Sequence, residues 1–155
     1  MARSNRQLTQ FAVDRLKGFF MGGAVEGKST AGNTEVECQT CRRCPYAPPQ
    51  YVVNLFGKQI VRIYTSPTDH QTPIAIMIST GDFYDGKGRP SRTTRERLNG
   101  ILDFLCTSKH LPEGVRVFIR EDGMCCVGKG EACRVFDRSN PAAVLIASKE
   151  TLVIE

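Results

Sequence analysis

The chain has 155 residues, of which 41% are hydrophobic and 24% charged, so it is long enough to form one domain with its own core. No apolar run approaches the ~20 residues that cross a bilayer, and the polar N-terminus lacks the apolar stretch of a secretory signal. These features exclude a membrane protein and predict a cytoplasmic protein with reduced thiols. The net charge of +5 suits nucleic acid or an acidic protein surface as partner.

The N-terminus predicts an amphipathic helix over residues 4–21. Ser4 and Gln7 have the spacing of a capping box. The glycines that follow end the helix. One face of this helix is apolar at helical spacing, and its members are Leu8, Phe11, Ala12, Phe19 and Phe20.

Residues 22–36 are polar and rich in glycine, which predicts a linker or an exposed loop. The helix and this linker would then form an N-terminal arm over residues 1–36, ahead of a single domain over residues 37–155. An arm of this kind uses its apolar stripe to contact another chain or docks on its own domain. The predicted partner contacts are Leu8, Phe11, Phe19 and Phe20.

A cysteine cluster opens the predicted domain, in the run Cys38-Gln-Thr-Cys41-Arg-Arg-Cys44-Pro45. Two cysteines separated by two residues can direct both thiolates to one ion from a single turn, which is typical of structural zinc sites. The zinc hypothesis takes Cys38 and Cys41 as ligands, with Cys44 or a distant thiol completing the site. The candidates for the distant ligand are Cys133, Cys125 and His110.

Two alternatives to zinc remain open for this cluster. An iron–sulfur cluster is disfavoured, because the ferredoxin motif has a further cysteine before the proline and this chain does not. The other alternative is free or disulfide-bonded cysteines in a surface loop. The chain has seven cysteines, so they cannot all pair with one another. Cys106, near the end of a predicted helix, is interpreted as a core thiol.

From Tyr51 onward the pattern predicts an α+β fold. This is a mostly antiparallel sheet of about six short strands, with one central amphipathic helix and the N-terminal helical arm. The central helix spans residues 93–106, with Thr93 and Glu96 as a capping box. Its buried stripe comprises Leu98, Ile101, Leu102 and Leu105. The predicted strands are 51–56, 59–64, 73–78, 115–120, 124–127, 132–136, 143–146 and an edge strand at 152–154.

A basic segment precedes and enters the central helix, reading Gly86-Lys-Gly-Arg-Pro-Ser-Arg-Thr-Thr-Arg-Glu-Arg97. Backbone amides and the dipole at a helix N-terminus favour an anion, and hydroxyl groups can donate to phosphate oxygens. Cations in the first helical turn oppose the dipole, and a bound anion would compensate for them. A solvated basic loop is the alternative interpretation. The predicted anion-binding residues are Lys87, Arg89, Ser91, Arg92, Thr94, Arg95 and Arg97.

Catalysis has little support in the sequence. The chain has two histidines, and no nucleophile motif or zinc-protease motif is present. A metal-dependent nuclease built from dispersed carboxylates is a lesser alternative. Its candidate ligands are Asp82, Asp85, Glu121, Asp122 and Glu131.

Residues 51–97 resemble small phage-encoded proteins of unknown function. The shared outline is a hairpin like Val53-Asn-Leu-Phe-Gly-Lys-Gln-Ile60, a loop, and then a serine with paired threonines before basic residues. That last part reads Ser91-Arg-Thr-Thr-Arg-Glu-Arg97 in this chain. The resemblance implies a phage origin, hence the cytoplasm of a host cell or a virion as the location, and it implies no activity.

The sequence therefore leads to two hypotheses of different class. The first is a non-enzymatic accessory protein, stabilised by zinc, that binds nucleic acid or an acidic partner through the basic loop. The second is a structural component of a phage particle, held to other phage proteins by its N-terminal helix and linker.

Overall fold

A computed structural model describes residues 3–22, 27–40, 43–44 and 46–155. Within them lie two helices and nine strands, which confirms the predicted α+β class. The elements are α1 Asn5–Gly22, β1 Gly27–Ala31, β2 Thr34–Gln39, β3 Gln50–Leu55, β4 Lys58–Thr65, β5 Pro73–Ser79, α2 Arg92–Thr107, β6 Arg116–Ile119, β7 Cys125–Lys129, β8 Ala132–Val135 and β9 Ala142–Ile146.

The strands form two antiparallel sheets. The larger has six strands in the order β1-β2-β3-β4-β5-β9, and the smaller has the order β6-β7-β8. A row of directly paired residues crosses the larger sheet: Val36, Val53, Val61, Ile78 and Ala143. All five are buried. Because side chains alternate between the two faces of a strand, this row and its neighbours give the sheet one apolar face.

Both helices pack against that apolar face. Leu16 and Phe19 of α1 share one hydrophobic core with Leu98 and Ile101 of α2. The predicted capping box at the start of α1 is confirmed. The Ser4 amide donates to Gln7 Oε1 at 2.8 Å, and the Gln7 amide donates to Ser4 Oγ at 3.2 Å.

The prediction of a linker over residues 22–36 is wrong where the structure describes β1 and β2. These strands form a hairpin, and β2 pairs with β3 along its whole length. The turn between them uses Gly32 at a φ of +53°, a conformation that glycine adopts without strain. In β2, Val36 and Cys38 face the core while Glu35 and Glu37 alternate with them, which is the period of a half-buried strand.

The apolar stripe of α1 is therefore not a free contact surface for a partner. Leu8 and Phe19 are buried within the chain, and Phe11 and Phe20 pack against the same core. Phe19 stacks on Tyr51 of β3 with 5.1 Å between ring centroids. Of the two alternatives for this helix, the structure shows it packed on its own domain.

The small sheet is fixed to α2 by an amide side chain. Asn99 Nδ2 donates to the Val117 carbonyl at 2.9 Å, and Asn99 Oδ1 accepts from the Val117 amide at 2.8 Å. At the other end of the fold, the C-terminal residues run beside β9, where the Ile146 amide donates to the Val153 carbonyl at 3.0 Å. With the antiparallel bridge between Leu145 and Ile154, this pairing places the predicted C-terminal edge segment beside β9 at the edge of the larger sheet.

Candidate nucleic-acid interface

The loop before α2 is held in place by its own hydrogen bonds. Asp85 accepts from the backbone amides of Lys87 at 2.8 Å and Arg89 at 3.1 Å, and it forms an ion pair with Arg89 Nε at 2.8 Å. Burial opposes ionisation of Asp85, but these donors outweigh it and hold the pKa of the carboxyl below its usual value. Arg89 is thus neutralised within the loop, whereas Lys87 is exposed.

Helix α2 begins at Arg92, one residue before the predicted start at Thr93. Its N-cap is Ser91, whose Oγ accepts from the Thr94 amide at 3.2 Å, so the prediction that Thr93 is the cap is wrong. Glu96 does not close a capping box but pairs with Arg92 at 2.8 Å. Ser91 takes the cap because serine is a preferred N-cap residue and its hydroxyl reaches the amide three residues on.

Two of the predicted anion-binding residues are enclosed by the protein. Thr94 is buried, and its hydroxyl hydrogen-bonds with that of Ser91 at 2.9 Å. The Ser91 hydroxyl accepts the capping hydrogen bond, so both hydroxyls are engaged within the protein and neither is placed to donate to a phosphate.

Arg97 is also misassigned by the sequence, because its side chain is fully buried. Its Nη1 donates to the Asn5 carbonyl at 2.8 Å and to Thr9 Oγ1, and its Nη2 donates to Asn33 Oδ1 at 3.2 Å. Burial lowers the pKa of this guanidinium, and the charge of Glu96 opposes that shift. Arg97 therefore joins α1, α2 and the β1–β2 turn and has no surface to offer a ligand.

The remaining cations lie beside a groove between α2 and β6. Arg92 and Arg95 come from the first turns of the helix, and Arg116 comes from the strand. The groove has a volume of about 360 Å³, and its other lining residues are Glu96, Asn99, Val117, Phe118 and Ile119. We call this surface, with its three arginines and one glutamate, the arginine groove.

The arginines of this groove keep hydrogen-bonding capacity. Arg92 uses Nε for Glu96, and Arg95 uses Nε for the Pro90 carbonyl at 3.1 Å. Within the described part of the chain, these are the only hydrogen bonds that the two guanidinium groups donate. The side chain of Arg92 is 86% exposed. The groove thus carries two more positive than negative charges, together with donors that suit a phosphate or a carboxylate.

Arg116 was missed because it is distant from the basic segment in sequence. The alternation of Val115, Val117 and Ile119 with Arg116 and Phe118 does place Arg116 on the side of β6 away from the core-facing Val117. The pattern could therefore have identified Arg116 as exposed. Its position beside α2 depends on the contact between Asn99 and Val117, which no local pattern predicts.

The cysteines predicted as metal ligands differ in burial where the structure describes them. Cys38 is buried on β2, directly paired with Tyr51, and Cys44 is exposed. Cys41 lies outside the described residues. Cys133 is on β8 beside Cys126. Among the described residues no three His, Cys, Asp or Glu side chains form a cluster that could hold a metal.

Cys125, Cys106 and His110 are packed against other side chains of the protein. Cys125 faces the core, and burial raises the pKa of its thiol to about 11. Cys106 packs against the core, as predicted, and its thiol donates to the Val115 carbonyl at 3.7 Å. The His110 ring lies 5.5 Å from that of Phe20, and burial lowers the pKa of the imidazole.

The carboxylates considered for a nuclease site do not form a cluster in the described part of the chain. Asp82 pairs with Lys58, Asp85 with Arg89, and Asp122 with Arg120. All five candidates belong to the described part of the chain, where no such cluster is found.

No family model, curated protein or solved structure matches this chain. The resemblance of residues 51–97 to phage proteins therefore stays a prediction. In the ranges that the structure describes, neither helix is long and apolar enough to cross a membrane.

Proposed function

We propose that this protein binds nucleic acid through the arginine groove. The observation that carries the proposal is the convergence of Arg92, Arg95 and Arg116 on one surface that holds a single carboxylate, Glu96. Two of these cations come from a helix and the third from a strand that is distant in sequence. The charge is concentrated by the fold, not by a run of basic residues.

Phosphate is the ligand that this arrangement suits best. A guanidinium group presents planar paired donors that match phosphate oxygens. The N-terminus of α2, where Arg92 lies, carries the positive end of the helix dipole. Arg92 and Arg95 oppose that dipole, and Glu96 compensates Arg92 only, so an anion beside Arg95 would relieve the remaining unfavourable interaction.

Contact with the phosphate backbone predicts binding with little preference for sequence. The function we propose is that of a non-enzymatic accessory protein, with zinc bound at Cys38, Cys41 and Cys44 as a stabilising element. The resemblance to phage proteins supports a role in a phage-infected cell. The alternative role in particle assembly is weakened, because the N-terminal stripe on which it depended is part of the core.

The test compares two double variants of equal charge. Arg95→Gln with Arg116→Gln changes the groove, while Lys28→Gln with Arg134→Gln removes two exposed cations elsewhere. Each lowers the net charge from +5 to +3, since two positive charges are lost. Binding to a labelled mixed-sequence oligonucleotide is measured by fluorescence anisotropy at fixed salt. We expect the groove variant to lose at least about tenfold in affinity, or ~1.4 kcal/mol, and the control to lose much less.

Equal losses in the two variants would mean that net charge, not the groove, determines binding. A groove variant that binds as tightly as the native protein would contradict the proposal. Competition with polyglutamate separates an acidic protein partner from nucleic acid. If polyglutamate displaced the oligonucleotide at equal charge concentration, the partner would be an acidic protein surface.

A further inference from the structure

Two cysteines that the proposed function does not use lie side by side in the small sheet. Cys126 is on β7 and Cys133 is on β8. The strand register pairs Cys126 with Val135 and Gly128 with Cys133, so the two cysteines are diagonal neighbours on the same face. The Cys126 thiol donates to the Met124 carbonyl at 3.9 Å, and the Cys133 sulfur is near enough to interact with it electrostatically.

Gly128 brings the two strands unusually close at this point. A Cβ atom at Gly128 would collide with the Ala132 carbonyl oxygen and would lie 2.6 Å from Cys133 Cα and 2.9 Å from Cys133 Cβ. Only a residue without a side chain permits this approach. A disulfide needs about 3.5–4.5 Å between its two Cβ atoms, which is less than the usual separation of diagonal neighbours. The close approach of β7 and β8 at Gly128 reduces that separation.

The positively charged side chain of Arg120 lies beside the two cysteines. The Arg120 guanidinium pairs with Asp122 through Nη2 at 2.8 Å, and its positive charge interacts with the sulfurs of Cys126 and Cys133. Thiolates are the reactive form of cysteine, and a neighbouring guanidinium provides positive charge for an anionic sulfur.

The two thiols differ in access to solvent. Cys126 is fully buried, whereas Cys133 is partly exposed. Cys133 also lines a cleft of about 350 Å³ together with Ala132, Arg134, Leu152 and Ile154. A small molecule can therefore reach Cys133 but not Cys126.

We propose that Cys126 and Cys133 form a redox-active dithiol that a hydroperoxide oxidises to a disulfide. The Cys133 thiolate attacks the terminal peroxide oxygen, the O–O bond breaks, and the alcohol leaves after taking a proton. Cys133 becomes a sulfenic acid. The Cys126 sulfur then attacks the Cys133 sulfur, an S–S bond forms, and the S–O bond breaks with release of water. Two thiols and one hydroperoxide give one disulfide, one alcohol and one water.

The order of these steps follows from the surroundings of each sulfur. Cys133 reacts first because the cleft opens onto it. Burial, the largest effect, raises the pKa of the Cys126 thiol, and Arg120 offsets that only in part. Cys126 is thus kept as an unreactive thiol until a sulfenic acid forms beside it, which suits the second, resolving step.

The experiment treats the native full-length protein with hydrogen peroxide, alkylates the remaining thiols and digests with trypsin without reduction. Cleavage after Arg120, Lys129 and Arg134 places the two cysteines on separate peptides, Glu121–Lys129 and Gly130–Arg134. We expect these peptides to appear linked, with a mass lower by two hydrogens than their sum, and to separate on reduction.

Because Cys125 shares the longer peptide with Cys126, single variants assign the bond. The linked pair should persist in Cys125→Ser and disappear in Cys126→Ser. A link that instead depends on Cys125 would overturn the proposal, as would full alkylation of both peptides after peroxide treatment. Oxidation of Cys133 to a sulfinic acid without any link would also contradict it, since Cys126 would then not act as the resolving thiol.

Discussion

Removal of the buried Arg97 side chain should destabilise the protein strongly, although it lies in the segment with the most surface charge. Arg97→Ala removes the hydrogen bonds to the Asn5 carbonyl, Thr9 Oγ1 and Asn33 Oδ1, although Asn33 Oδ1 still accepts from the Thr34 hydroxyl at 2.8 Å. Hydrogen bonds to a charged group contribute about 1.5–3 kcal/mol each, and the lost aliphatic stem adds a cavity. Loss of the unfavourable burial of the charge offsets part of this. We expect the free energy of unfolding to fall by about 3–5 kcal/mol.

Two further variants make this expectation specific. Arg97→Met fills most of the volume and removes the buried charge, so it should cost about half as much as Arg97→Ala. Arg92→Ala removes an arginine from the exposed side of the same helix and should change stability by no more than ~0.5 kcal/mol. Urea unfolding followed by circular dichroism measures all three, and Arg97→Ala should also lower Tm by on the order of 10 °C.

The reasoning would be refuted if Arg97→Ala were no more destabilising than Arg92→Ala. That result would mean that the hydrogen bonds to α1 and to the β1–β2 turn contribute nothing to stability. A result in which Arg97→Met is more stable than the native protein would show that burial of the charge outweighs its hydrogen bonds.

Three other predictions concern the cysteine cluster, the small sheet and the loop before α2. Cys41→Ser should abolish binding of zinc and lower thermal stability; elemental analysis of native protein, prepared without chelator, that finds no zinc would contradict this. Gly128→Ala should destabilise the fold, as measured by urea unfolding, because the added methyl group collides with the Ala132 carbonyl. Asp85 has a lowered pKa in the folded chain, so its contribution to stability is present above the ordinary value of 3.8 and is lost as the pH falls through the folded pKa. Asp85→Asn should therefore flatten the acid side of the stability–pH curve, and an unchanged curve would argue against the ion pair with Arg89.

The helices and the strands after Tyr51 could be predicted because their apolar residues repeat at clear periods. The start of α1 followed from the Ser4–Gln7 pattern, and the structure confirms it. The β1–β2 hairpin could not be recognised as easily, because glycines and polar residues dominate it. Only the alternation in Thr34–Gln39 indicated a strand, and the pairing with β3 that stabilises it is a tertiary contact.

The basic segment shows where composition misleads. Arg97 lies one helical turn before Ile101 and two before Leu105, in the same row of the buried stripe. Its position, more than its charge, therefore determined its surroundings. Arg116 shows the reverse case, because nothing near it in sequence indicates that it joins Arg95 in one groove. That arrangement depends on how β6 packs against α2.

The salt dependence of binding tests the central claim most directly. If the arginine groove holds phosphates, the logarithm of the affinity for duplex DNA should fall linearly with the logarithm of salt concentration. Each phosphate contact contributes about 0.9 to the steepness of that line. Arg95→Ala with Arg116→Ala should therefore reduce the slope by about two. A double variant that remains folded and keeps the native slope would contradict the account, because the groove would then make no contact with the phosphate backbone.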